Sequence, residues 1–237
     1  AEQQKRFHLP PGFEIQLVAA EPEIRKPVNL NFDARGRLLV TQSVEYPVVV
    51  PQDKTPRDTI NVLVDTDHDG TYDEVRTLAD RLNIPVGITP SPGGMMAYVV
   101  PNIYRFRDED ERGRAQRREV VFQGFGFEDT HGMPNSFTWW IDGWIYACHG
   151  EGNTSTVTSS DGQSLTMQGG NTFRMKPDGS RIEPFTHGQA NPFGFCFDPL
   201  GNAYAADSHS KPGYMLLRGA WYPSLKREHD GLGFGPE

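Results

Sequence analysis

The chain pairs short apolar runs across tight polar turns, again and again. Val28-Asn29-Leu30-Asn31-Phe32 leads through Asp33-Ala34-Arg35-Gly36 to Leu38-Leu39-Val40. Pro85 to Thr89 leads through Pro92-Gly93-Gly94 to Met95 to Val99. Ser136 to Trp140 leads through Ile141-Asp142-Gly143 to Trp144 to Cys148. Pro192 to Phe197 leads through Asp198-Pro199-Leu200-Gly201 to Ala203 to Ala206. Each unit reads as a β-hairpin, with glycine where a tight turn calls for positive φ. The turn glycines Gly36, Gly94, Gly143 and Gly201 are 58, 49 and 58 residues apart.

Further strand-like runs fill the gaps: Phe13 to Val18, Ile60 to Val64, Val75 to Ala79, Ile103 to Phe106, Glu119 to Phe122, Thr172 to Met175 and Ile182 to Phe185. Helical periodicity is absent. About four strands in a repeat of roughly 50 residues is the signature of a propeller blade. The expectation is an all-β chain, one β-propeller domain over residues 1–237, with about four blades and a partial fifth at Tyr214 to Leu217. A six-bladed ring needs around 300 residues at that period. The expected state is therefore an incomplete six-bladed ring, cut short after the turn-rich segment His229 to Gly235.

Charge narrows the partners. A formal net charge of -8 leaves no basic stripe for nucleic acid. The arginines between Arg105 and Arg118 are interleaved with Asp108, Glu109, Asp110 and Glu111 and read as a solvated loop. No run of 18 apolar residues is present, so no transmembrane segment is expected. The opening Ala1-Glu2-Gln3-Gln4 is compatible with signal cleavage and a periplasmic or secreted location. Cys148 and Cys196 form no CxxC pattern. Buried free thiols and a disulfide both remain open for them.

In a hairpin, the entrance of the first strand and the exit of the second share one end. Asn29, His131, Asn135, His187 and Asn191 lie at the entrances. Gln42, Glu45, Asn102, His149, Glu151, Asp207 and His209 lie at the exits. They should gather at one mouth of the ring, where pocket ligands bind. His149, Glu151, His187, Asp207 and His209 could there surround a transition metal, although their spacing fits no short ligand motif.

Asp65-Thr66-Asp67-His68-Asp69-Gly70 is a DxDxDG loop. Carboxylates at alternate positions can curl around calcium, which takes six to eight oxygens. The expected ligands are Asp65, Asp67, Asp69 and the Thr71 carbonyl, completed by Asp73 and Glu74. Position 12 is Arg76, so the loop is not an EF-hand and should staple two outer strands. The next repeat carries a degenerate copy, Asp108 to Gly113, with Arg112 in place of the third acid. Asn153-Thr154-Ser155 matches a glycan acceptor, a motif of low specificity.

Two stretches carry a family resemblance. His131-Gly132-Met133-Pro134-Asn135 with Asp142-Gly143-Trp144-Ile145-Tyr146 is one. Gly188-Gln189-Ala190-Asn191-Pro192-Phe193-Gly194 with Asp207-Ser208-His209 is the other. They resemble the soluble quinoprotein glucose and sorbosone dehydrogenases. Pro11 to Pro22, Asp65 to Asp73 and Val120 to Gly126 are similar to the PVC-type membrane-bound dehydrogenase propellers. The resemblance implies that His131 is a general base and that Asn191, Asp207 and His209 contact pyrroloquinoline quinone. It also implies a sugar or alcohol substrate and a cytochrome c or other protein subunit as partner. Two positions depart from the pattern. Ala190 replaces the arginine that would pair with a quinone carboxylate, and Thr130 replaces the acid before the histidine, with Asp129 one step away.

Two functions follow. One is a dehydrogenase-like oxidoreductase passing electrons to a separate acceptor. The other is a non-catalytic, calcium-stabilised propeller acting as a binding or assembly subunit.

Overall fold

The computed structural model describes residues 3–110, 112–224 and 233–235. Glu111 of the degenerate acidic copy, and His229 to Leu232 of the turn-rich segment, lie outside them. The first sheet runs β1 (Pro27–Phe32), β2 (Leu38–Gln42), β3 (Asp58–Val64), β4 (Glu74–Leu82) in that order. The second runs β5 (Pro85–Ser91), β6 (Gly94–Val99), β7 (Asn102–Glu109), β8 (Ala115–Phe122). The third is built from β9 (Asn135–Trp139) and β10 (Ile145–His149), with β13 (Gly170–Met175) and β14 (Ile182–Gln189). A two-stranded ribbon, β11 (Thr154–Thr158) and β12 (Ser164–Gln168), is inserted between β10 and β13. The fourth sheet is β15 (Pro192–Phe197), β16 (Ala203–Asp207) and β17 (Tyr214–Leu216).

All ladder pairs are antiparallel. The four sheets are the four blades of a β-propeller. Two expectations change. Tyr214–Leu216 pairs with β16 and is the third strand of the fourth blade, not the start of a fifth. Phe13 to Val18 forms no strand. That segment crosses the first blade instead, where Gln16 donates to the Gly70 carbonyl at 3.1 Å, and Ala19 and Ile24 cover Leu38, Val40 and Leu63.

One hydrophobic cluster lies between each pair of neighbouring sheets. This explains why β6 and β10 are apolar at nearly every position: both faces are covered. In β6, Met95, Ala97 and Val99 enter the cluster shared with the first blade, whereas Met96 and Tyr98 enter the cluster shared with the third. In β10, Ile145 and Ala147 face the second blade, and Tyr146 and Cys148 face the fourth.

The inner strands β1, β5, β9 and β15 follow one another around a common axis and line a shared cavity of about 540 Å³. Each is a sheet edge with unpaired backbone groups. Side chains from the adjacent blade satisfy several of them. Asn29 Oδ1 accepts from the Gly87 N–H at 2.8 Å, and Asn31 Nδ2 donates to the Ile88 carbonyl at 3.0 Å. Trp139 Nε1 donates to the Pro90 carbonyl at 2.6 Å. Thr138 Oγ1 donates to the Phe195 carbonyl at 3.0 Å, and Asn135 Nδ2 to the Pro192 carbonyl at 3.3 Å. At the opposite, turn end, Arg37 joins blades one and two through Asp33 at 2.7 Å and Glu109 at 2.6 Å.

Trp139→Phe keeps one aromatic ring near the axis but removes the second ring of the indole and one cross-blade donor. It should lower the unfolding free energy in urea by about 1 kcal/mol, with an unchanged m-value.

Candidate functional site

The entrance of β9 begins with a short 3-10 turn, Thr130–Gly132, capped by Asp129. One oxygen of Asp129 accepts from both the His131 backbone N–H at 2.9 Å and the His131 ring Nδ1 at 2.8 Å. The pairing leaves Nε2 as the ring nitrogen without a hydrogen-bond partner among the described residues. Burial alone would lift the Asp129 carboxyl. The His131 backbone and ring hydrogen bonds, with the charges of His131 and His209, hold it below its ordinary value. Tyr46 meets the His131 ring edge-on, with centroids 5.6 Å apart. Thr130 Oγ1 donates to the Pro47 carbonyl at 2.8 Å, which ties this turn to the first blade. His131 opens on a cavity of about 440 Å³. All four blades contribute walls: Val28, Val86, Met133 and Phe193, with Tyr46 and Lys26 beside the histidine.

Asn191 lies next to this turn. Its side-chain oxygen occupies the space a side chain at residue 150 would need: a Cβ on Gly150 would come within 1.9 Å of it. The same Cβ would meet Gly132 Cα at 2.6 Å. Gly132, Gly150 and Asn191 are thus stacked, and glycine is required for the approach. Asn191 Oδ1 is buried and has no protein hydrogen-bond partner among the described residues. The same holds for Gln189 Nε2 and Asn171 Oδ1. Asp207 positions the strand entrance. Its carboxylate accepts from the backbone N–H of Ala190 at 2.9 Å, Asn191 at 3.1 Å and His209 at 3.0 Å. His131, Asn191, Asp207 and His209 therefore share one mouth. Asp207 spends its oxygens on backbone, and the His209 side chain is exposed.

The proposed transition-metal set does not assemble. Among the described residues, the one group of three or more potential ligands within 4.8 Å is Asp65, Asp67 and Asp69. His149 is fully buried, with Nδ1 at 2.8 Å from the Gly169 carbonyl and Nε2 at 2.7 Å from Ser155 Oγ. Both ring nitrogens are committed, and burial pushes its pKa down. The cysteines are free, and Cys196 is exposed rather than buried. Burial pushes the Cys148 thiol up to about 12, so it stays protonated. The side chain of Asn153 is buried in hydrogen bonds to Asp129, which removes it as a glycan acceptor.

The acidic loop joins β3 to β4. Tyr72 OH donates to the Gly36 carbonyl at 3.2 Å, so the loop sits at the turn end, away from the mouth. Asp65, Asp67 and Asp69 converge, and Asp65 Oδ1 is buried without a hydrogen-bond partner among the described residues. Asp73 and Glu74 do not join them. Asp73 accepts from the Thr66 hydroxyl at 2.6 Å, and Glu74 pairs bidentately with Arg76 at 2.8 and 2.7 Å.

Sequence reasoning missed the ribbon β11–β12 and the hydrogen-bonding roles of Asn153, read there only as a glycan acceptor, and Ser155. It also missed Tyr46 and Lys26. Val157, Leu165 and Met167 alternate about an Asp161-Gly162 turn, which is a hairpin signal. Nothing in the pattern marks Tyr46 or Lys26.

The buried His149 gives a pH dependence. Its folded-state pKa lies below the ordinary 6.5. The unfolded ring therefore binds a proton more readily, and stability present above about 6.5 is lost as pH falls toward the folded value. Urea unfolding between neutral and mildly acidic pH should show this decline. A His149→Asn variant should be less stable at neutral pH and have a flatter slope below it.

Several solved structures share this architecture. An aldose sugar dehydrogenase from Streptomyces coelicolor, in its PQQ-bound form, matches at TM-score 0.63 and 22% identity, over 93% of this chain and 69% of its own. An oxidoreductase described as a glucose dehydrogenase, from Thermus thermophilus, matches at TM-score 0.57 and 18% identity, over 90% and 69%. The PQQ domain of pyranose dehydrogenase from Coprinopsis cinerea, in its holo form, matches at TM-score 0.55 and 14% identity, over 93% and 50%. At such identities the likeness establishes a shared β-propeller fold. No curated protein matches the sequence. Residues 1–230 match the family described as a domain of unknown function, DUF7133, and with nearly its whole length so matched the chain belongs to that family.

Proposed function

We propose that this chain is a dehydrogenase-like propeller, residues 1–237 acting as one domain, in which His131 removes the hydroxyl proton of a sugar or alcohol. The observation that carries the reading is the Asp129–His131 pair at 2.8 Å beside a cavity walled by all four blades. Asp129 holds Nδ1, so Nε2 faces the substrate as base, a role that suits imidazole near neutral pH. The carbinol carbon then gives up hydride to a two-electron acceptor, and the resulting carbonyl is the product. A cytochrome c or another protein would carry the electrons onward.

Pyrroloquinoline quinone would be the acceptor by analogy, but the described residues fit it only in part. Asn191 Oδ1 and Gln189 Nε2 are buried groups with no protein partner, as a ligand contact would require. Three carboxylates on the quinone demand cations. Residue 190 is a buried alanine, and Lys26 is the one lysine or arginine among the residues lining the His131 cavity. The described residues account for the proton half of the reaction and not for holding the tricarboxylate, so no step is assigned to it.

The test is substrate-dependent reduction of an artificial electron acceptor, with quinone added, across a panel of aldoses and alcohols. His131→Gln should lower the rate by about 10²- to 10⁴-fold, the usual worth of a general base. No turnover of any substrate by the wild type, or an undiminished rate in His131→Gln, would sink the reading.

The alternative is a non-catalytic binding or assembly subunit whose first blade is stapled by calcium, and the acidic loop favours it. Calcium at Asp65, Asp67 and Asp69, with the Thr71 carbonyl, would join the outer strands far from the mouth. A three-carboxylate loop suits an extracytoplasmic location, where free calcium is high. A hundredfold excess of free calcium over its Kd should add about 2.7 kcal/mol to the unfolding free energy. Chelation or Asp67→Asn should abolish that gain. Equal stability with calcium and with chelator would remove the calcium site.

A further inference from the structure

The inserted ribbon adds no strand to the sheet of the third blade, which is complete without it. It instead grips the loop that carries Asp129 and His131. The Thr156 N–H donates to the Gly124 carbonyl at 3.0 Å, and the Gly126 N–H to Ser155 Oγ at 2.9 Å. At the ribbon's start, Asn153 closes a two-point clamp on the backbone of Asp129. Its Oδ1 accepts from the Asp129 N–H at 2.9 Å, and its Nδ2 donates to the Asp129 carbonyl at 2.7 Å. Asn153 is 2% exposed. Next to it, a Cβ on Gly152 would fall 2.6 Å from Asp129 Cβ, so the ribbon also fixes where the carboxylate can lie.

We infer that Asn153 is the positioning residue of the proposed base: it fixes Asp129 through the ribbon, and Asp129 fixes the His131 ring in its Nδ1–H tautomer. This rests on the reading of His131 as base. The side chain is suited to the task on three counts. A primary amide carries an N–H donor and a carbonyl acceptor side by side, matched to the C=O and N–H of one backbone residue. Its neutrality puts no second charge beside the Asp129 carboxylate. Burial keeps water from competing for either bond. Aspartate would lose the donor, and serine would not reach both atoms.

The test uses the full chain with ring-labelled histidine and long-range proton–nitrogen correlation at alkaline pH, where the tautomer is read directly. Wild type should show His131 with the proton on Nδ1 and Nε2 bare. Asp129→Ala, in which the ring is unheld, should give a mixture of the two tautomers. Asn153→Ala should move toward that mixture although Asp129 is intact, with cooperative unfolding retained. A folded Asn153→Ala protein whose ring remains wholly in the Nδ1–H form overturns the inference. Should that variant fail to fold, amide exchange in the wild type decides. The Asp129 N–H should exchange as slowly as the N–H groups of β10, and exchange at the rate of an open loop overturns it. Neither readout involves turnover. A His131→Gln enzyme of full activity would remove the base and leave the clamp standing, whereas a failed clamp leaves the activity loss of His131→Gln untouched.

Discussion

The backbone edge of each inner strand is the constraint on which the arrangement depends. A blade pairs its first strand on one side only, so four rows of amides and carbonyls converge on the axis with no ladder to join. Asn29, Asn31, Asn135, Thr138 and Trp139 answer this with side chains that reach across to the neighbouring blade. Apolar packing between sheets is non-directional and would tolerate rotation of one blade on another. The cross-blade hydrogen bonds are directional, and they fix how the strand entrances meet.

The mouth inherits its geometry from that fixation. Two carboxylates do similar work there. Asp129 caps the turn before β9, and Asp207 gathers the amides before β15 and after β16. Each spends acceptor capacity on backbone, and each places a side chain of chemical interest, His131 in one case and Asn191 in the other. The glycine contact between residues 132 and 150 lets the start of β9 approach the end of β10, with the Asn191 side chain filling the space beside Gly150. The base and the candidate ligand contact are adjacent because small residues allow it.

The blade pattern was legible in the sequence because each hairpin carries a local signal, an apolar run, a glycine turn and another apolar run. His131, Asn191, Asp207 and His209 were legible as a group because strand entrances and exits must share an end. Other features depend on contacts that no local pattern announces. Phe13 to Val18 alternates like a strand but finds no edge to pair with. The positive φ of the second turn falls on Gly93 and not Gly94, where the Phe106 carbonyl leaves no room for a Cβ. Asp73 and Glu74 are spaced as ligands, yet Thr66 and Arg76 take them. His149 reads as a ligand by type, and burial makes it a structural residue. The ribbon could have been found from its Asp161-Gly162 turn, but its role could not, since Asn153 acts on a residue 24 positions earlier.

The strand β10 feeds alternate side chains into two different cores and ends at His149, whose ring is pinned to the ribbon through Ser155. It is therefore the element that the second blade, the fourth blade and the inserted ribbon have in common. A substitution that thickens or thins it cannot be absorbed on one side alone. A change of side-chain size along β10, as along β6, must be accommodated in two interiors at once.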